Sequence, residues 1–323
     1  MRFLVVGLGS MGKRRARLLT GLGHTVAGVD SAPARRQEAE AKEIRSYVGL
    51  EQALSAGPYA GAFVCTAPLA HAALIDTLLD AGLPVFSELN LVADGYEGLM
   101  RKARDKKLVL FMSSTMLYRG EIAYMRDNIA ACTNKLNYIY HIGQYLPNWH
   151  PWESYKDFFV GNARTGGVRE ILGIELPWLV STFGSATPVA VQKDSLTTLE
   201  IPYPDSWFIT LRHGNGTKGI LAVDVVCAKA VRNFEVFGEG FQLFWEGNPN
   251  ALYRVEPDSG EKQPVNTYAH FEQNPAYSDN IVENAYLDEI LNFIGVLEGR
   301  EAPRWSFEQD LEVIRLMDAI EAL

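Results

Sequence analysis

Six residues near the amino terminus are the first whose types and spacing could do chemistry. Gly7-Leu8-Gly9-Ser10-Met11-Gly12 follows the apolar run Phe3-Leu4-Val5-Val6 and precedes Lys13-Arg14-Arg15-Ala16-Arg17-Leu18-Leu19, a stretch rich in helix formers. Buried strand, glycine turn and helix, in that order, form the context in which G-x-G-x-x-G holds a dinucleotide. Gly7 would permit the tight turn, Gly9 the approach of a pyrophosphate, and Gly12 the close packing of helix on strand. The backbone N–H groups around Ser10 and Met11, at the positive end of the helix dipole, would hold the phosphates. A second strand, from His24 to Val29, ends at Asp30, eighteen residues past Gly12. A carboxylate there accepts the ribose hydroxyls of NAD. Ser31, Arg35 and Arg36 follow and could approach the 2′-phosphate of NADP, but Asp30 would repel it, so NAD is the first choice. An S-adenosylmethionine site also uses a glycine turn and an acid after the second strand; the third glycine, opening the helix, disfavours that reading.

The elements that must position these residues alternate. Helices are expected over 33–42, around 52–54, over 71–81 with a stop at Gly82, and over 95–106; strands are expected over 59–65, 84–87 and 108–112. That alternation predicts a doubly wound parallel sheet, an NAD(P)-binding Rossmann domain over residues 1–118. Beyond Tyr118 the period changes. After a helix over 121–131 come strands over 137–144, 189–193, 207–212, 219–226, 232–237 and 241–246. The turns His213-Gly214-Asn215-Gly216 and Gly238-Glu239-Gly240 make hairpins of their neighbours. Helices over 283–297 and from Ser306, with Gln309 completing a capping box, close the chain. Residues 119–323 therefore read as an α+β domain with a mostly antiparallel open sheet.

A chain of 323 residues with 47% hydrophobic and 21% charged content suits two soluble globular domains. A net charge of −9 argues against nucleic-acid or anionic-membrane partners, and no apolar run reaches the ~20 residues of a membrane span. Met1-Arg2 leads straight into a strand, with no secretory leader pattern, and the three cysteines, Cys65, Cys132 and Cys227, are few and far apart. A reducing cytoplasm is the expectation, with no disulfide framework and no metal site. The basic run Lys13-Arg14-Arg15-Arg17 is read mostly as a solvated helix face.

Together these residues resemble the glucose-fructose oxidoreductase and inositol dehydrogenase family, Gfo/Idh/MocA, over nearly the whole chain. Besides the glycine motif and Asp30, Thr66-Ala67-Pro68 with His71 is similar to its T-x-P-x-x-H element, and Glu88 matches the first residue of its E-K-P element. Gly166-Gly167-Val168 through Leu179 and Phe183-Gly184 resembles the segment carrying the family's substrate-side acid and histidine. Glu298-Gly299-Arg300 with Pro303 resembles a carboxy-terminal helix ending. The resemblance implies a cofactor lining that includes Thr66, Pro68, His71 and Glu88. It also implies hydride transfer to or from a hydroxyl carbon, and a homodimer or homotetramer formed through the open sheet. The aromatic run Gly143 to Phe159 is similar to a branch acting on nucleotide sugars and surface-polysaccharide building blocks. Its rings suit the apolar face of a pyranose, or equally a packed loop.

The departures fall on the chemistry. The family lysine is Leu89 here and its proline is Asn90; Thr115 and Leu117 stand where asparagine and arginine are frequent; the acid and histidine align with Ile171 and Ile174. Leucine has no proton to give. His150, Lys156 and Glu175 are the candidate catalytic groups, with Tyr155, Tyr118 and Arg119 behind them. The expected activity is an NAD(P)-dependent oxidoreductase of sugars or nucleotide sugars with a non-standard site. The alternative is a catalytically impaired dinucleotide-binding relative with a regulatory or structural role.

Overall fold

The structure is a computed structural model, and it describes residues 1–150, 153–272 and 281–323. Contacts divide the chain into two compact units, Met1–Ser114 with Tyr286–Leu311, and Thr115–Ala285 with Glu312–Leu323. The expected division fell after residue 118, with a single crossing; the return of 286–311 to the first unit was not foreseen.

In the first unit β1 (Arg2–Val6), β2 (Thr25–Val29), β3 (Arg45–Tyr47), β4 (Gly61–Val64), β5 (Val85–Ser87) and β6 (Leu110–Met112) are all parallel, in the order β3-β2-β1-β4-β5-β6. The helices α1 (Ser10–Gly21), α2 (Pro33–Glu40), α3 (Leu50–Ser55), α4 (His71–Asp80) and α5 (Tyr96–Lys106) connect them. This is the predicted Rossmann arrangement. The short edge strand β3, Arg-Ser-Tyr, lacks the apolar run that marks a buried parallel strand and escaped the sequence reading. Every residue of β4 and all but the first of β1 are buried. Phe293, from the returning segment, sets its ring 5.2–6.4 Å from those of Phe3, Phe63, Phe86 and Phe111. Aromatic burial on this scale explains why the segment packs here.

The second unit carries α6 (Gly120–Ala131), β7 (Asn137–Gly143), α7 (Gly167–Phe183), β8 (Ala186–Asp194), β9 (Ser206–His213), β10 (Lys218–Asp224), β11 (Val231–Gly238), β12 (Phe241–Trp245), β13 (Leu252–Val255) and β14 (Lys262–Pro264). Its sheet runs β14-β13-β12-β11-β7-β10-β9-β8. The two expected hairpins, β9–β10 and β11–β12, are antiparallel. The pair β7–β10 is parallel, so the carboxyl ends of two strands lie side by side. Tyr138, Tyr140 and Phe234 face inward, where Trp178 and Phe183 of α7 meet them with ring centroids 4.9–6.5 Å apart. Strand alternation turns Ile139, Phe208 and Ile220 outward, each about half exposed, so this face is apolar and open. The last helices are α8 (Glu283–Leu297) and α9 (Phe307–Ala322), the latter opened by the Ser306–Gln309 capping box.

The basic run of α1 differs from expectation. Lys13 and Arg17 face solvent, but Arg14 is 4% exposed and Arg15 is fully buried. Arg15 donates Nε to Glu88 Oε1 at 2.5 Å, and Nη2 to Glu289 Oε2 at 2.5 Å and Ser113 Oγ at 3.3 Å. Its Nη1 reaches the Tyr286 carbonyl at 3.2 Å, and the guanidinium lies 4.6 Å from the Phe86 ring centroid. Glu289 also accepts from Ser113 Oγ and from the Ser114 backbone N–H. Burial holds the Glu289 carboxyl above its ordinary range, with Arg15 opposing. Removing one partner of such a cluster strands buried charge, which costs about 3–5 kcal/mol. Arg15→Met should therefore lose about that much unfolding free energy in a urea titration. A loss below about 1 kcal/mol would show that the cluster does not hold the helix.

Candidate cofactor site and proton-handling groups

The loop between β1 and α1 is built as its glycines require. Gly7 has φ +92°, and a Cβ there would lie 2.7 Å from the Cys65 carbonyl oxygen. A Cβ on Gly12 would fall 1.8 Å from the Gly7 oxygen, so the helix approaches as only glycine allows. At Gly9 the nearest atom is Arg35 Nη1 at 3.8 Å, leaving that backbone open to a ligand. Ser10 and Met11 begin α1, whose N-cap Gly9 supplies no side-chain cap and whose first turn has no acid. That composition leaves the dipole end suited to a pyrophosphate.

Asp30 ends β2, is 8% exposed, and accepts from the Leu8 N–H through Oδ2 and the Ala32 N–H through Oδ1, both at 2.8 Å. It ties the glycine loop to the start of α2. Each carboxylate oxygen keeps a further lone pair for a ribose hydroxyl. Arg36 is spent on the Asp30 and Ser31 carbonyls, whereas the half-exposed Arg35 sits 3.6 Å from Asp30. Arg35 is thus a cation beside the carboxylate that would meet the ribose.

After β4, Thr66 has a sealed Oγ1 with no hydrogen-bond partner among the described residues. Its methyl would lie 2.9 Å from a Cβ on Gly7, so the orphaned hydroxyl borders the glycine loop. A buried polar atom without a partner is costly, which fits a ligand that supplies one. Pro68 is buried and starts a short 3₁₀ turn leading to α4. His71 is fully buried, with Nε2 2.9 Å from the Thr66 carbonyl and Nδ1 3.4 Å from Ser87 Oγ; burial holds its pKa down. It braces the Thr66 turn. Glu88 is enclosed by Arg15 and lies beneath the strand ends as part of the ion cluster. Leu89, at the family lysine position, is half-buried, and Asn90 is buried with its amide oxygen on the Leu91 N–H.

The candidate catalytic groups lie in the second unit, in different surroundings. Glu175 is fully buried on α7, where Tyr140 and Trp178 donate to Oε2 at 2.7 Å each, and Arg232 donates to Oε1 at 2.7–2.8 Å. Its acceptor capacity is taken up by Tyr140 and Arg232 of the sheet and by Trp178 of its own helix. Lys156 is half-exposed and paired with Glu200. His150 places Nδ1 2.6 Å from Glu153 Oε1, its ring 4.2 Å from that of Phe158. Pro151 and Trp152 of the aromatic run lie outside the described residues. Trp149 donates to the Gln144 carbonyl and borders Gly167, so part of the run is packing. Arg119 is buried, pairing with Glu121 and lying 5.0 Å from the Trp245 ring centroid. Ile171 is buried and Ile174 half-buried.

One group was missed by the sequence reading. Glu170, in the first turn of α7, is half-buried overall, but its Oε2 is sealed and has no partner among the described residues. Burial pushes this carboxyl up to about 8. Its position three residues after Gly167, the second residue of the Gly-Gly pair, was the available signal.

Residues 1–113 match the family model described as an oxidoreductase family with an NAD-binding Rossmann fold, Gfo/Idh/MocA. No curated protein matches the sequence. Solved structures share the whole fold. The WlbA dehydrogenase of Bordetella pertussis, in complex with NADH and UDP-GlcNAcA, is 16% identical with TM-score 0.75, over 100% of this chain and 95% of its own. The UDP-N-acetylglucosamine 3-dehydrogenase GnnA of Acidithiobacillus ferrooxidans is 16% identical with TM-score 0.75, over 100% and 98%. A myo-inositol dehydrogenase of Corynebacterium glutamicum ATCC 13032 is 15% identical with TM-score 0.77, over 100% and 96%. Over its first 113 residues the chain is thus similar to the NAD-binding Rossmann domain of the Gfo/Idh/MocA oxidoreductases, and over its whole length it shares a fold with the dehydrogenases above.

Proposed function

We propose that this protein is an NAD(P)-dependent oxidoreductase acting at a hydroxyl carbon of a sugar or nucleotide sugar. The observation that carries this reading is the glycine loop: a backbone cradle closed to any side chain at Gly7 and Gly12, open at Gly9 and bordered by the orphaned Thr66 hydroxyl. Gly7, Gly9, Ser10, Met11 and Gly12 would hold the pyrophosphate, Asp30 the ribose, and Thr66 and Pro68 the nicotinamide half, with His71 and Glu88 as braces. The substrate class rests on likeness to dehydrogenases, one of them solved with NADH and UDP-GlcNAcA. A bound nicotinamide would supply or accept the hydride; the proton on the substrate oxygen is left to the chain's own residues.

Leu89 cannot carry that proton, and Glu175 is engaged on both oxygens. His150 with Glu153 has the form of a base oriented by a carboxylate, and Lys156 is the further candidate. The impaired-relative reading is favoured by Leu89 together with the apolar Ile171 and Ile174. The open sheet face around Ile139, Phe208 and Ile220 supports assembly into a homo-oligomer, since an exposed apolar patch of this kind marks an interface.

Nicotinamide fluorescence should report tight binding of NADH, or of NADPH through Arg35, and a shift when one of a panel of nucleotide sugars is added. His150→Gln should then lower kcat by ~10²–10⁴ while leaving cofactor affinity unchanged, and Lys156→Ala should have a smaller effect. Binding of neither cofactor would remove the oxidoreductase reading. Binding with no turnover on any sugar would favour the impaired relative, and full activity of His150→Gln would transfer the proton role elsewhere. Glu170 gives a pH dependence of stability. Its folded pKa of about 8 lies above the ordinary 4.5. The contribution is therefore complete below about 4.5 and is lost as pH rises through about 8. Glu170→Gln should flatten the fall in melting temperature across that window; an unchanged profile would disprove the assignment. Ile220→Lys should shift the sedimentation coefficient toward that of a monomer, and an unaltered coefficient would exclude the open face as the interface.

A further inference from the structure

The parallel pairing of β7 and β10 brings together three side chains that the proposed oxidoreductase chemistry does not use. His141 stands near the end of β7, Asp224 closes β10, and Cys227 lies in the following loop. Asp224 Oδ2 is 2.8 Å from His141 Nε2; Cys227 Sγ is 3.6 Å from that nitrogen and 3.4 Å from that oxygen. Three ligand atoms of different elements therefore meet at one point.

The arrangement is not that of a nucleophile relay. A relay uses both imidazole nitrogens, one for the acid and one for the thiol. Here acid and sulfur converge on the same nitrogen. Convergence is what a cation requires. Zn–N and Zn–O bonds of ~2.0–2.1 Å and a Zn–S bond of ~2.3 Å, set tetrahedrally, put ligand atoms ~3.3–3.6 Å apart. Both edges involving sulfur have that length. The nitrogen–oxygen edge is shorter because a hydrogen bond now occupies it.

The surroundings hold the ligands in place. Asp224 Oδ1 accepts from the Val226 and Cys227 N–H groups at 2.9 Å each, which orients the carboxylate and leaves Oδ2 forward. Such outer-shell bonds are the usual support of metal ligands. Gly143, the β7 partner of Asp224, makes the room, for a Cβ there would lie 2.5 Å from both carboxylate oxygens. Tyr145 N–H to the Cys227 carbonyl and Leu146 N–H to the Val225 carbonyl zip the two strand-end loops together. The His141 side chain is 39% exposed, so an ion can enter from the open face of the sheet.

We propose that His141, Asp224 and Cys227 form a binding site for a thiophilic divalent cation, zinc above all. The mixed nitrogen, oxygen and sulfur set excludes magnesium or calcium, which take oxygen ligands. Three protein ligands leave a fourth position for water or an incoming group. Binding releases the thiol proton of Cys227 to solvent as the sulfur–metal bond forms. This proposal departs from the expectation of no metal site, and it is independent of the dinucleotide reading.

The test uses the full chain stripped with EDTA and titrated with Co²⁺, then with Zn²⁺. Expected are a thiolate-to-cobalt charge-transfer band saturating at one ion per chain, its loss on adding Zn²⁺, and release of a proton. His141→Ala, Asp224→Asn and Cys227→Ser should each weaken binding at least ~100-fold, with Cys132→Ser unchanged. In the unaltered chain, stoichiometric Zn²⁺ should protect Cys227, but not Cys132, from alkylation, a readout that needs no variant to fold. Absence of the thiolate band, equal alkylation of Cys227 with and without zinc, or wild-type affinity in Cys227→Ser would overturn the site and leave only adventitious binding. Failure to bind NADH would not bear on any of these outcomes.

Discussion

One buried guanidinium organises the nucleotide-binding unit. Arg15 projects from the helix that follows the glycine loop, and its partners come from the ends of two parallel strands and from the returning segment, at Glu88, Ser113 and Glu289. A charge out of water is tolerated only when paired and hydrogen-bonded, and Arg15 has an acidic partner on each side. The requirement ties α1 to the strand ends, so the dipole end of α1 is aimed by the interaction that neutralises its third basic residue. The glycine loop is therefore set from two sides, by Asp30 holding the Leu8 N–H and by Arg15 holding the helix behind it.

The second unit solves a different problem. A long antiparallel sheet must bury one face, and α7 covers it with Trp178 and Phe183 against Tyr138, Tyr140 and Phe234. Glu175 lies within that layer, satisfied by Tyr140, Trp178 and Arg232. An acid that looks catalytic by its place near a Gly-Gly segment is here a buried anchor between helix and sheet. Glu170, five residues earlier, is its opposite: sealed at one oxygen, unpartnered among the described residues, and held toward the neutral form.

The apolar replacements at Leu89, Ile171 and Ile174 have a common physical meaning. Each is a side chain with no proton to give or take at a position where the resemblance implies an ionisable one, while the glycine loop keeps its form. Phosphate cradling depends on glycines and backbone N–H groups, which substitutions outside the loop leave in place. Proton transfer depends on one titratable atom within about 3 Å of the reacting oxygen, which a single substitution abolishes. The two capacities are separable, and this chain has kept the first in its usual form.

Much of the fold was legible. The strand, glycine turn, helix and terminal acid, the alternation that makes a parallel sheet, both hairpins and the final capping box are local patterns, set by backbone sterics and by periodicities of 2 and 3.6. β3, β13 and β14 were not legible, because they lack the continuous apolar runs that mark the equally short β4, β5 and β6, and are held by their neighbours. The return of 286–311 was hidden because Phe293 reads as any apolar helix residue until four phenylalanine rings surround it. Burial of Arg15 was hidden likewise: a charge run is a solvated face unless acids distant in sequence come to meet it, and Glu289 is 274 residues away. His141 and Asp224 stand 83 residues apart, beyond any spacing rule, and only the parallel register of β7 and β10 makes them neighbours. What the amino-acid order determined by itself was therefore most of the elements and the glycine loop, whose interactions are local. Tertiary structure alone decided which charges are buried, which acids remain available and which ligand atoms converge, because those depend on distances that the chain acquires only by packing.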